Sequence, residues 1–287
     1  MKIQTLSVVV GTKSCQARCP YCVSKTTPSY DLPNEPNEPN EPNWPNFKKA
    51  LQLAKIGGAT TVLLTGKGEP TLHPQIITRY LTAIDKQFPF IELQTNGMKL
   101  MDEEYLDWLR DCKLLGLSTI CLSAVSIDQY QNREIYGQDY PLISPLAKKL
   151  TDIGFTVRLS IIMMKPYNYL PEHIERLVDF CKLNYCKQLT IRPVTRPENK
   201  DNETTCWIKE HELNDTELLT IKHFLIDNAT HLLSLSHGAE VYDYKGQNIC
   251  LANCLTTNET DEDIRQIIYY PDGTISYDWC YKGAVLL

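Results

Sequence analysis

The chain has 287 residues, 43% of them hydrophobic and 22% charged, with a net charge of −6. That length can bury a large core in one domain, or in one domain with a small appendage. The acidic balance offers no basic footprint for duplex nucleic acid, and no apolar run reaches the ~18–20 residues of a membrane span.

In chain order, Leu6 to Val10 is β-branched and apolar and predicts a buried first strand. A cysteine-rich loop follows directly. Asn-Glu-Pro is then repeated over residues 34–42 and ends in Asn43-Trp44-Pro45-Asn46. Proline at every third position predicts an extended surface loop over 34–46, with a substrate lid as the alternative. Asn46 is expected to cap a helix over 47–56. Strands then read at 61–65, 90–95, 119–123, 155–163 and 188–193, separated by helices near 75–86, 102–115, 142–153 and 170–184. Such alternation argues for right-handed βα units around a parallel sheet. Eight units would close a barrel; the six here predict an α/β fold with a partial, open (β/α)6 TIM-like barrel over 1–195. Residues 195–215 read as polar loop and Thr216 to Leu232 as a helix. From Gly238 the pattern turns to short strands, with a hairpin signal at Pro271-Asp272-Gly273-Thr274. Residues 196–287 are therefore expected to form a small C-terminal α+β subdomain.

Eleven cysteines, an odd number, with no signal-peptide pattern at the N-terminus, point to a reducing cytoplasmic setting and to metal ligation. Three of them lie in Cys15-Gln16-Ala17-Arg18-Cys19-Pro20-Tyr21-Cys22, at C-x3-C-x2-C spacing. A loop of that spacing can turn three sulfurs toward one point, one short of the four that a closed zinc or iron–sulfur site needs. Two readings are open: a zinc loop with a distant fourth ligand, or a [4Fe–4S] cluster with one iron left to bind a small molecule.

The C-x3-C-x-aromatic-C pattern resembles the signature of the radical S-adenosylmethionine (SAM) family, with Tyr21 as the aromatic. The resemblance implies that Cys15, Cys19 and Cys22 ligate the cluster, that Tyr21 packs beside it, and that the open iron chelates the methionine part of SAM. An electron on the cluster then cleaves SAM to methionine and a 5′-deoxyadenosyl radical. It also implies a reducing partner such as flavodoxin or ferredoxin.

In a parallel βα sheet, chemistry gathers at the carboxyl ends of the strands. The second strand ends in Thr65-Gly66-Lys67-Gly68-Glu69-Pro70. This resembles the family's GGEP motif, with Lys67 interposed, so either Gly66 or Gly68 is the glycine that lets the backbone approach SAM; Glu69 completes the motif. Thr95-Asn96-Gly97 at the third strand end resembles a family motif near the SAM ribose or methionine. Ser123, at the fourth, matches a SAM-contacting serine of the molybdenum-cofactor cyclase and viperin branches, although Val125 replaces their first Asp. Arg158 and Arg192, on the fifth and sixth strands, resemble basic residues of the cyclase branch. A buried guanidinium needs an anionic partner: a core carboxylate, the SAM carboxylate, or an anionic substrate. Cys250, Cys254 and Cys280, with a hairpin before the last, resemble the twitch subdomain that holds a second [4Fe–4S] cluster, although the first pair is spaced C-x3-C where those branches usually have C-x2-C; ordinary buried cysteines are the alternative. Cys112, Cys121, Cys181, Cys186 and Cys206 read as packing residues.

These readings converge on a radical SAM enzyme acting on an anionic small molecule, with a nucleotide as one candidate. A peptide- or protein-modifying maturase and a non-catalytic iron–sulfur electron-transfer or sensor protein are the alternatives.

Overall fold

The computed structural model describes residues 2–196, 202–235, 238–252 and 263–287. In chain order it contains β1 (Lys2–Val9), α1 (Trp44–Ile56), β2 (Thr61–Thr65), α2 (Pro74–Ile84), β3 (Phe90–Thr95), α3 (Glu103–Leu114) and β4 (Thr119–Ala124). There follow α4 (Gln129–Tyr136), α5 (Ile143–Ile153), β5 (Thr156–Met163), α6 (Pro171–Leu183) and β6 (Gln188–Pro193). The rest comprises α7 (Glu203–His211), α8 (Asp215–Asn228), β7 (Thr230–Ser234), β8 (Glu240–Tyr244), β9 (Gln247–Leu251), β10 (Asp263–Tyr269) and β11 (Ile275–Ser276).

The helices follow from their apolar spacing. In α5, Ile143, Leu146, Ala147 and Leu150 are buried on one face, and Gly154 closes the helix with a left-handed φ of 97°. In α1 the buried face is Phe47, Ala50, Leu51 and Ala54. The helix starts earlier than the sequence suggests: the Asn43 side chain accepts from the Asn46 N–H at 3.1 Å, and Pro45 lies in the first turn. Proline is tolerated there because the first-turn N–H groups have no intrahelical partner.

The chain divides into two compact units. The first is Met1–Gln16, Val23–Ile120 and Glu259–Leu287. Its strands run β11-β10-β1-β2-β3. β10, β1, β2 and β3 are parallel, with Leu6 opposite Val62 and Leu64 opposite Leu93, and β11 is antiparallel to β10. Leu6, Val8, Val62, Leu64, Ile91 and Leu93 are all fully buried, at every second position along their strands, which gives each strand an apolar face toward the core. The expected hairpin is present: Tyr270 N–H donates to Thr274 O at 2.9 Å, and Gly273 takes the positive φ of 101° that the turn requires.

The second unit is Ala17–Cys22 and Cys121–Asn258. Here β5, β6 and β9 are parallel, and β9, β8 and β7 form an antiparallel meander. Among the described residues β11 pairs only with β10, and β7 only with β8, so the sheet they form is not closed. The fold is thus α/β with a parallel-rich, open sheet, a partial TIM-like barrel.

Four expectations need correcting. Helix α4 lies where no helix was expected, because only Asn132, Ile135 and Tyr136 of its eight residues are buried and no apolar stripe announces it. Its signal is the Asp128 cap, whose carboxylate accepts from Tyr130 and Gln131 N–H at 2.7 and 3.2 Å. Helix α7 replaces part of the polar loop expected at 195–215; Asn202 and Thr205 bond each other's N–H groups at its start. The last expected helix stops at Asn228, and residues 230–232 are extended in β7. Cys206, expected in the core, is exposed, whereas Cys112, Cys121, Cys181 and Cys186 are buried.

Candidate active site

In the first unit the site is built at the carboxyl ends of β1, β2 and β3. After β1 the backbone turns at Gly11, with φ +74°. A Cβ there would lie 1.9 Å from the His73 ring. His73 is buried and its Nε2 accepts from the Thr12 N–H at 3.3 Å, with the Thr12 hydroxyl also at 3.3 Å. Thr12 Oγ1 in turn accepts from Ser14 N–H at 3.1 Å. His73 therefore braces the loop just before Cys15. Its burial holds the imidazole pKa below the ordinary range, so the neutral ring is favoured.

The loop after β2 packs against the same segment. A Cβ on Gly68 would stand 2.0 Å from Ser14 O, whereas on Gly66 the nearest atom, Gly68 O, is 2.9 Å away. Gly68 is thus the glycine that permits close approach of two backbones, and Glu69 N–H donates to Ser14 O at 2.9 Å. The Glu69 carboxylate is buried and accepts from Thr71 N–H at 3.0 Å, Thr71 Oγ1 at 2.7 Å, Thr95 Oγ1 at 2.7 Å and Asn96 N–H at 2.9 Å. Burial pushes its pKa up, and these donors oppose that shift. Glu69 is therefore a structural knot joining GKGEP to Thr95-Asn96-Gly97. Asn96 Oδ1 accepts from Met98 N–H at 2.9 Å, which leaves its Nδ2 pointing at Cys15 Sγ, 3.6 Å away. The interposed Lys67 turns elsewhere: its buried ammonium bonds Thr27 Oγ1 and lies 5.1 Å from the Trp279 ring centre.

In the second unit, Cys19 and Cys22 are linked by a Cys22 N–H to Cys19 O bond of 3.3 Å. Helix α4 holds this stretch at two points, both on Tyr136. Its carbonyl accepts from Arg18 N–H at 3.3 Å, and its hydroxyl accepts from Tyr21 OH at 2.7 Å. Tyr136 stacks on Tyr140 at 4.7 Å, and Tyr140 OH donates to Ser123 O at 2.7 Å, at the end of β4. All three phenols are buried, and burial, followed by the Cys19 charge for Tyr21 and Tyr140, keeps them protonated. The turn after β4 is shaped by buried Asn132, whose Oδ1 accepts from Val125 and Ser126 N–H at 3.0 and 3.2 Å.

Arg158 and Arg192 share one face of the sheet, since Arg158 is opposite Gln188 and Arg192 opposite Ile162. Arg192 is near the carboxyl end of β6, whereas Arg158 is the third residue of β5, toward its amino end. Cys250 is on β9 opposite Thr190, in the second unit, and Cys280 follows β11 in the first. Cys254 lies outside the described residues.

Among the described residues no disulfide is formed, and no three His, Cys, Asp or Glu stand together as a metal-holding group. The fit to an iron–sulfur cluster is one of donor chemistry: three thiols on a single loop, with an amide N–H directed at the sulfur of one of them. His73 and Tyr136 brace that loop and went unseen in the sequence, where a lone histidine and a tyrosine in a polar segment carry no signal. No helix among the described residues is long and apolar enough to cross a membrane.

The profile of the family described as "Radical SAM superfamily" matches residues 9–181. No curated protein sequence matches the chain. Among solved structures, the fold is similar to Streptococcus suis SuiB bound to S-adenosylmethionine, at 17% identity and a TM-score of 0.64 over 98% of this chain and 61% of that one. It is also similar to a radical SAM methyltransferase from Sphaerobacter thermophilus (14% identity, TM-score 0.54, 77% of this chain and 63% of that one). Methylornithine synthase, PylB, matches at 13% identity and TM-score 0.53 over 90% of this chain and 74% of that one. This chain spans about three fifths of the length of SuiB.

Proposed function

The chain belongs to the radical SAM superfamily, whose enzymes use a [4Fe–4S] cluster, SAM and a source of electrons, and from that premise we propose that Cys15, Cys19 and Cys22 are its cluster ligands. When bound, cluster and SAM supply a one-electron cleavage that yields methionine and a 5′-deoxyadenosyl radical able to abstract hydrogen from a substrate. The observation that carries the assignment is the hydrogen-bonded path from Ser14 through Glu69 to Asn96 and back to Cys15. It gathers three separate strand ends at one cysteine, as a cofactor site at the carboxyl edge requires.

The remaining residues take roles from their placement. Gly68 brings the backbone of the second strand end against the cysteine loop, and Gly66 precedes it where carbonyls can accept from the SAM ammonium. Glu69 acts through others: its carboxylate accepts from Thr71, Thr95 and Asn96, so we assign it a positioning role rather than a ligand contact. By the motif resemblance, Thr95 and Asn96 at the end of β3 and Ser123 at the end of β4 are assigned to the rest of SAM. Tyr21 walls the loop from the side of Tyr136. Arg192, near its strand's carboxyl end, is the better placed of the two arginines to orient an anionic substrate.

The substrate favoured by the motifs is an anionic small molecule, by likeness to the cyclase and viperin branches. A peptide substrate is the second reading, favoured by one observation: SuiB, similar over 96% of this chain, is crystallised with the precursor peptide SuiA. A twitch-type second cluster at Cys250, Cys254 and Cys280 is the finer part of the proposal. Iron quantitation tests it, since one [4Fe–4S] cluster brings about four irons per chain and two bring about eight. The experiment for the main reading is anaerobic reconstitution followed by SAM and dithionite. 5′-Deoxyadenosine is expected from the wild type and not from Cys15→Ala, Cys19→Ala or Cys22→Ala. A fully reconstituted wild type that releases none refutes the reading.

A further inference from the structure

Asn96 is held by its neighbours in a way that leaves its side-chain amide one direction. Its backbone N–H is fixed on Glu69 Oε2 at 2.9 Å, and its Oδ1 is occupied by Met98 N–H at 2.9 Å. The preceding Thr95 is locked by donating to Glu69 at 2.7 Å and accepting from Gly97 N–H at 2.9 Å. The residue is only 6% exposed. With the amide oxygen committed, the Nδ2–H₂ group faces Cys15 Sγ at 3.6 Å, an ordinary N–H···S distance. Glu69 itself is pinned to the cysteine loop through Ser14 O. Donor and sulfur are therefore carried on one hydrogen-bonded frame, and their approach is set by that frame rather than by a flexible side chain.

We propose that Asn96 is a positioning and tuning residue for the cluster: its amide donates to the Cys15 thiolate and raises the reduction potential of the iron–sulfur centre. This rests on the assignment of Cys15 as a cluster ligand. An N–H directed at a ligating sulfur stabilises the electron-rich, reduced state more than the oxidised one, and hydrogen bonds to sulfur are one of the levers that set cluster potentials. The role differs from a direct SAM contact, because it acts on the cluster before SAM arrives.

The test is an EPR-monitored redox titration of reconstituted protein without SAM, comparing wild type with Asn96→Asp and Asn96→Ala. Asn96→Asp keeps an acceptor for Met98 N–H but replaces the donor by an oxygen; Asn96→Ala removes both. With iron content equal to wild type, both variants are expected to have a more negative midpoint. Asn96→Asp should show the larger shift, at least a tenfold fall in the reduced-to-oxidised ratio at fixed potential, or about 59 mV for one electron. Unchanged midpoints at full iron content overturn the proposal. If the variants shed iron, the wild type decides: ¹⁵N-asparagine labelling should give a weak ¹⁵N coupling on the reduced cluster by pulsed EPR, and its absence overturns the proposal. A wild type that takes up no iron refutes the cluster assignment itself, a result distinct from either of these.

Discussion

Substituting Gly68 by alanine tests the central contact of the site. The added Cβ would sit 2.0 Å from Ser14 O and 2.7 Å from the carbonyl carbons of Lys13 and Ser14, all backbone atoms, whereas ordinary contact begins at 3.4 Å. The loop must retreat by more than an ångström, and the 2.9 Å bond from Glu69 N–H to Ser14 O stretches with it. Overpacking of this kind costs about 1–3 kcal/mol, and a lost hydrogen bond about 0.5–1.5 kcal/mol more. The expected loss is about 2–4 kcal/mol, a large share of the roughly 5–15 kcal/mol of a typical domain. Because Ser14 precedes Cys15, iron uptake should fall in parallel. Two further alanines calibrate the result. Gly66→Ala meets atoms at 2.9–3.3 Å and should be intermediate; Gly283→Ala meets nothing within 4 Å and should be near neutral. Urea unfolding followed by circular dichroism, with iron content measured on the same samples, gives the ranking. A Gly68→Ala protein within about 0.5 kcal/mol of wild type, or three equal losses, would refute the reasoning.

Two other substitutions probe the braces on the cysteine loop. Burial lowers the His73 pKa from the ordinary 6.5, so the folded state favours the neutral ring; its contribution to stability is complete above that value and is lost as pH falls through the folded pKa. The urea midpoint of wild type should therefore drop as pH is lowered below 6.5, and that of His73→Gln should drop less; parallel profiles would contradict this. Tyr136→Phe leaves the buried Tyr21 hydroxyl without its 2.7 Å acceptor, a loss of about 1–3 kcal/mol. Combining it with Tyr21→Phe should restore part of the stability, and strict additivity in the double-mutant cycle would argue against the bond.

The local signals in the chain were sufficient for the skeleton. Short apolar runs such as 61–65 and 90–95, bounded by turn residues, announce strands without help from tertiary structure, and the structure buries Val62, Leu64, Ile91 and Leu93 from them. The cysteine triplet, GKGEP and TNG were legible for a different reason: each packs its chemistry into a few consecutive residues. Placing the glycine that matters was not possible at that level. Gly66 and Gly68 are equivalent as letters, and only the approach of Ser14 O, more than fifty residues earlier, separates them.

The same limit applies to the partners of the site. His73 and Tyr136 act through contacts 61 and 115 residues distant in sequence, and nothing in their local surroundings marks them. The C-terminal segment shows the converse. Its short strands were readable from turn chemistry, but which strand each would join was not: β9 runs beside β6 and β10 beside β1, because strand pairing depends on which sheet edge is left open and not on local propensity. Sequence alone therefore determined what is encoded by nearest neighbours, namely the periodicity, the turns and the thiol spacing. Tertiary structure decided what depends on residues meeting from afar: which backbone must yield, which histidine stays neutral, and which amide faces the sulfur.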